Sequence, residues 1–158
     1  MRRQDREVTN MDEIITIMKK CDVCRLALFD EEFPYIIPMN FGFTYQNGEI
    51  ELYFHCAKAG KKLDLINLNP KVGFEMDCSH RLILDEKDCS CSMEFESICG
   101  SGSIEILSEE QKIQALTYLM QQYSKKSSFE FNANGVKAVN VFKLKVHKIF
   151  AKRLKHSN

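Results

Sequence analysis

The sequence predicts an α+β protein built mainly on antiparallel β-structure, and three observations carry that reading. About six segments have strand-like composition, with an Asn47-Gly48 pair marking a tight hairpin between two of them. The strands do not alternate regularly with helices, which argues against a parallel α/β sheet. Two or three helical segments are spread along the chain, as expected of helices packed around the outside of an antiparallel barrel.

Taken in order, Thr9 and Asn10 precede Met11, Ile14, Ile15 and Met18, an apolar stripe at helical spacing with Asp12 and Glu13 in its first turn. Cys24 to Phe29 and Pro34 to Tyr45 read as strands, with Pro34 and Pro38 marking ends, bulges or a sheet edge. After the hairpin, Glu49 to Cys56 returns as a strand. Ile50, Leu52 and Phe54 take its core face, and Glu51, Tyr53 and His55 the polar or ligand-facing one. Lys61 to Asn69 is a small helix stopped by Pro70, with Leu63 and Ile66 inward.

Val72 to Asp77 is a further strand, and Ser79 to Ser90, which has no clear period, is read as a loop. Met93 to Leu107 is a long strand interrupted at Gly100 and Gly102. Ser108 and Gln111 form a capping box for a helix whose buried stripe is expected to be Ile113, Leu116, Leu119, Met120 and Tyr123. Ala138 to Ile149 alternates Phe142, Leu144 and Val146 against Lys143, Lys145 and His147, a half-buried strand, and the basic tail from Lys152 is expected to fray.

The 158 residues, 44% hydrophobic and 28% charged, suit a single domain spanning 1–158 that holds a core without disulfides or structural metal. The 22 basic residues balance the 22 acidic ones, so no global field recruits nucleic acid or an anionic membrane. No apolar run is long enough to span a bilayer, and the charged start MRRQDREVTN does not resemble a signal peptide. The seven cysteines are an odd number scattered through core-like segments, so they read as thiols in a reducing compartment, and the cytoplasm is the expected location. Cys21-x-x-Cys24, Cys78-x-His80 and Cys89-x-Cys91 lack the paired spacing of a zinc site, and no metal is expected.

Two segments point to a ligand. His55-Cys56-Ala57-Lys58-Ala59-Gly60-Lys61-Lys62 runs from a strand end through a glycine loop into a lysine-bearing helix start. Helix amides, the helix dipole and ammonium charges there all favour an anion, although a solvated basic loop would read the same way. In Pro34 to Gly42 a proline-interrupted strand leaves backbone groups free for a flat heteroaromatic ligand, or simply marks a sheet edge. Gly100-Ser101-Gly102 is followed by a strand and lacks a third glycine, so it is not a dinucleotide fingerprint.

Four collinear motifs, P-Y-I-I-P-M-N-F-G-F, L-Y-F-H-C-A-K-A-G-K-K-L-D-L-I, N-P-K-V-G-F-E-M-D and S-M-E-F-E-S-I-C-G-S-G, run in order from Pro34 to Gly102, preceded by M-R-R-Q-D-R-E-V-T, a short helix and C-D-V-C-R-L-A-L. Together they resemble the nitroimidazole-reductase (nitroimidazole-resistance) family among the pyridoxamine 5'-phosphate oxidase-like flavin-binding split barrels. The resemblance implies a six-stranded split β-barrel with FMN at a homodimer interface. It also implies electron transfer from a reduced nucleotide such as NAD(P)H, or another donor, to a small nitroaromatic or other planar acceptor.

By position, the resemblance places Pro38, Met39 and Asn40 against the flavin ring, Phe54 and His55 beside it, Lys58, Lys61 and Lys62 at its phosphate, and Ser97 near the ring. His55 is the candidate catalytic residue: it either gives a proton or hydrogen bond to a substrate or packs against the flavin. The sequence departs from the family pattern at Cys56, where serine is usual, at Lys61-Lys62, where Arg-Lys is frequent, and at Ala151, where glycine precedes Lys-Arg. The alternatives are a pyridoxamine-phosphate-oxidase-like flavoenzyme and a non-enzymatic flavin- or haem-binding module.

Overall fold

The structure, a computed structural model, describes residues 3–85 and 90–155. A short 3-10 helix, Gln4–Arg6, leads into β1 (Glu7–Val8) and α1 (Met11–Met18). Then come β2 (Cys24–Leu28), β3 (Tyr35–Met39), β4 (Gly42–Gln46), β5 (Glu49–Ala57) and α2 (Lys61–Leu68). The chain continues through β6 (Lys71–Asp85), β7 (Ser90–Ile106), α3 (Glu109–Tyr123), α4 (Ala133–Lys137) and β8 (Val139–Leu154).

All strand pairs are antiparallel, in the order β3-β2-β6-β7-β8-β5-β4, with β1 added against β8. The sheet is open between β3 and β4, so the α+β fold is a split barrel. It has eight strands where six were expected, because a two-residue β1 joins β8 and the predicted strand Pro34 to Tyr45 is two strands. Tyr123 stabilises the break. Its hydroxyl accepts from the Phe41 amide (2.9 Å) and donates to the Asp22 carbonyl (2.7 Å), and Asn40 Nδ2 donates to that carbonyl too (3.3 Å).

The inner faces of the strands meet in one core. Leu26, Leu52, Phe54, Met76, Ile98, Phe142 and Leu144 are all at most 1% exposed, and α1 seals one end with Ile14, Ile17 and Met18. Phe54 stacks on its cross-strand partner Phe142 with ring centroids 5.2 Å apart. α1 begins as predicted, with the Asn10 side chain accepting from the Glu13 amide, and the Ser108–Gln111 capping box starts α3.

Several expectations are corrected. The buried stripe of α3 is Lys112, Ala115, Leu116 and Leu119, whereas Ile113 and Met120 face solvent and Tyr123 is 42% exposed. The helix turns this way because Lys112 reaches inward to donate to the Val139 carbonyl (2.8 Å) and pairs with Glu109 (2.6 Å), a non-local pairing that hydropathy does not register. Ser79 to Asp85 is not a loop but the continuation of β6, paired with β7 from Ser90 onward; residues 86–89, which include Cys89, lie outside the described part. The period is hidden there by a bulge between Cys78 and Arg81, where Ser79 has φ +61°. The tail does not fray at Lys152, because β8 runs to Leu154 against β7. Among the described residues, no helix is long and apolar enough to cross a membrane.

Glu96 is the central charged residue of the interior. It is fully buried on β7, accepts from Lys20, Ser79 and Arg153, and lies 3.5 Å from Lys155. Burial pushes its carboxyl up, but these partners outweigh that and hold it at about 2, against an ordinary value of 4.5. A carboxyl depressed in the folded state adds stability above its unfolded pKa and loses it as pH falls toward the folded one. Glu96→Gln is therefore expected to lower Tm by about 5 °C at pH 7, with the difference from wild type shrinking between pH 5 and pH 2 in thermal melts.

Candidate functional site

The basic loop after β5 is where the structure concentrates groups suited to an anion. Gly60 caps α2 with φ +138°, a backbone conformation that side chains other than glycine rarely adopt, and the space over its Cα is open. It provides no side-chain cap, and among the described hydrogen bonds the amides of Lys61 and Lys62 have no acceptor. Free amides at the positive end of a helix form a ready anion seat.

Three lysines belong to this loop and helix start. Lys61 is exposed, pairs with Asp30 (2.6 Å) in the β2–β3 connection, and lies 5.4 Å from the Tyr35 ring centroid; Asp30 raises its pKa. Lys62 is half-buried and close enough to Cys56 to offset part of the upward push that burial gives that thiol. Lys58 lies 3.6 Å from Glu109 in the first turn of α3, and its carbonyl accepts from Asn140 Nδ2 (3.3 Å). Asp30 and Glu109 were not legible as site neighbours, because each reaches its lysine from a distant part of the sequence.

The other expected residues divide into four groups. His55 is exposed at the end of β5, on the outer face that α3 covers from Tyr53 onward, and so borders the same loop. Phe54 alternates inward and is sealed in the core, so its side chain cannot flank a ligand; the strand pleat forces that outcome. Pro38 and Asn40 are exposed and Met39 is buried at the end of β3, an edge strand whose outer backbone groups lack a strand partner.

Ser97 is brought to none of these. It lies on the outer face of β7, lining a cleft of about 440 Å³ with Cys99, Phe150 and Lys152. Strands β2 and β6 separate it from β3, about 14 Å at ordinary strand spacing. Phe150 and Ile36, 53% and 64% exposed, lie on that same outward side of the sheet. Among the described residues, no three His, Cys, Asp or Glu side chains are grouped to hold a metal.

An open antiparallel barrel with a basic, uncapped helix start beside an edge strand defines the chain as a split-barrel protein with a candidate phosphate-ester site. Residues 10–153 match the family Pyridoxamine 5'-phosphate oxidase, and the chain belongs to that family. It is similar to a candidate 5-nitroimidazole antibiotic resistance protein from Bacteroides thetaiotaomicron, with 31% identity over 93% of this chain and 86% of that one, at a TM-score of 0.79. Two more distant structures share the fold. The flavocytochrome Anf3 from Azotobacter vinelandii has 14% identity over 99% and 72% of the two chains (TM-score 0.79). An FAD and heme binding protein from Mycobacterium smegmatis has 14% identity over 96% and 74% (TM-score 0.80). No protein with a curated description matches the sequence.

Proposed function

We propose that this protein is an FMN-dependent oxidoreductase that passes electrons from a reduced nucleotide or another donor to a small nitroaromatic, nitroimidazole-like or other planar acceptor. The observation that carries the cofactor is the start of α2, where unpartnered amides and Lys58, Lys61 and Lys62 suit a phosphate monoester. The similarity to the Bacteroides protein supports the acceptor class. Bound FMN supplies hydride or single-electron transfer. The chain's own residues position it: the lysines and helix amides hold the phosphate, the β3 edge from Pro38 to Asn40 offers backbone groups to a planar ring, and His55 faces solvent where an acceptor would approach.

The reading includes a homodimer acting in the cytoplasm. Ser97 is three strand spacings from β3 within one chain, so a second copy seated on the exposed Ile36 and Phe150 face is what would bring a Ser97 cleft to the flavin. Between Ile36 and Phe150 that face also carries Arg25 paired with Glu75 and Asp77, so a second copy seated there would meet both apolar and charged groups.

The test is the visible spectrum of the purified protein after FMN loading and desalting, with the molar mass measured by light scattering. Flavin retained at about one per chain in a dimer, reduced by NADH or NADPH and reoxidised by a nitroimidazole, is the expected result; no retained flavin overturns the reading. Bleaching by a vitamin B6 phosphate alone would move the protein to an oxidase role. His55→Ala is expected to keep its flavin and to lose at least about 10-fold in acceptor turnover; turnover equal to wild type would make His55 a packing residue.

A further inference from the structure

We infer that Cys21 and Cys78 are a peroxide-sensitive dithiol pair, able to form a disulfide that staples the end of α1 to β6. Both thiols are aimed at one atom: Cys21 Sγ lies 3.4 Å and Cys78 Sγ 4.0 Å from the Ile17 carbonyl oxygen. The backbones that carry them are clasped together. Lys20, next to Cys21, pairs with Glu96, and Glu96 is the cross-strand partner of Cys78. The bulge that begins after Cys78 gives that strand freedom to shift, with Ser79 already in the left-handed region at φ +61°.

The two thiols differ in a way that assigns them roles. Cys21 is 2% exposed, and burial, followed by the neighbouring Cys78, pushes its pKa up. Cys78 is only half-buried, its sulfur lying against Ser79 Oγ (3.6 Å) and Glu96 Oε2 (4.0 Å), so it is the member of the pair that a small oxidant reaches first. A cleft of about 230 Å³, lined by Ser79, Arg81, Glu94, Glu96 and Lys155 among others, reaches Ser79 and Glu96, two of the residues that touch Cys78 Sγ, and a small polar oxidant fits it.

With hydrogen peroxide as oxidant, the Cys78 thiolate, its proton given to solvent, attacks one peroxide oxygen. The O–O bond breaks, and the departing hydroxide takes a proton to leave as water. Cys21 then attacks the sulfenic sulfur, the S–O bond breaks, and the second water departs with the Cys21 proton. Two thiols and one peroxide thus become one disulfide and two waters. The bridge closes a loop of more than fifty residues, long enough to restrict the unfolded chain.

The experiment exposes dilute, fully reduced protein to stoichiometric hydrogen peroxide, blocks remaining thiols, and maps disulfides by mass spectrometry without reduction. The expected product is a Cys21–Cys78 peptide pair and a Tm about 5–10 °C above that of the reduced protein. Both should be reversed by a thiol reductant and absent from Cys78→Ser, while Cys24→Ser still forms the pair. Cys21→Ser keeps a donor for the Ile17 carbonyl and is expected to accumulate sulfenic acid at Cys78. Cys78 found joined to another cysteine, or overoxidised while Cys21 remains a free thiol in wild type, would overturn the inference.

Discussion

Replacing Lys61 and Lys62 together by alanine is expected to weaken FMN binding about 100-fold while leaving the fold intact. Each charge-assisted hydrogen bond to a phosphate contributes about 1.5–3 kcal/mol, so two of them account for a loss of that size even if Lys58 and the helix amides remain. The fold has little to lose. Lys61 is exposed, and its ion pair with Asp30 is of the solvent-screened surface kind that adds little. Two ammonium groups at the positive end of α2 oppose the helix dipole, so their removal relieves that end when no anion is bound. Tm should therefore stay within about 2 °C of wild type. Riboflavin, which lacks the phosphate, provides the internal control: its affinity should be the same in both proteins. Equal FMN affinity in variant and wild type would show that the phosphate sits elsewhere.

Strands were legible where one face is buried against one that is wet. Glu49 to Cys56 and Phe142 to Val146 alternate with the pleat, and the structure places Ile50, Leu52, Phe142 and Leu144 in the core accordingly. The helix caps at Asn10 and Ser108 were legible because capping is local chemistry. What stayed hidden depends on contacts between distant residues. The turn between β3 and β4 is set by Tyr123, about eighty residues away, and the inward face of α3 is set by Lys112 meeting the Val139 carbonyl. The strand beyond Ser79 was masked by a bulge, which breaks the two-residue period without breaking the strand. For the candidate site, the sequence marked the basic loop as a contiguous motif. It could not show that Asp30 and Glu109 already hold Lys61 and Lys58, whereas the strand alternation did set Phe54 inward and His55 outward, against the placement of Phe54 that the resemblance implied.

Gly42→Ala is expected to destabilise the protein by about 3 kcal/mol, a fall in Tm of roughly 6–12 °C. A Cβ at this position would lie 2.4 Å from the Leu119 N and Cα atoms and from the Tyr118 carbonyl carbon, all backbone of α3. A flexible side chain could swing away from such a contact, but a helix backbone must move as a unit. The C-terminal half of α3 is held where it is by several bonds at once. Gln122 donates to the Met18 and Cys21 carbonyls at 3.0 and 2.7 Å, and Tyr123 bridges Phe41 and Asp22. Moving the helix away from β4 stretches all of these and loosens the corner at Asn40, just after β3. Gly135→Ala is the control, since a Cβ there meets only an ordinary contact at 3.9 Å, and its Tm should change by no more than about 2 °C. If Gly42→Ala melts with wild type, α3 does not approach β4 this closely in solution. If it melts early and also retains less flavin than Gly135→Ala, the β3 corner and the ligand site are mechanically joined through α3. That joint loss is expected, because α3 carries Glu109 against Lys58 at one end and Tyr123 against the β3–β4 break at the other.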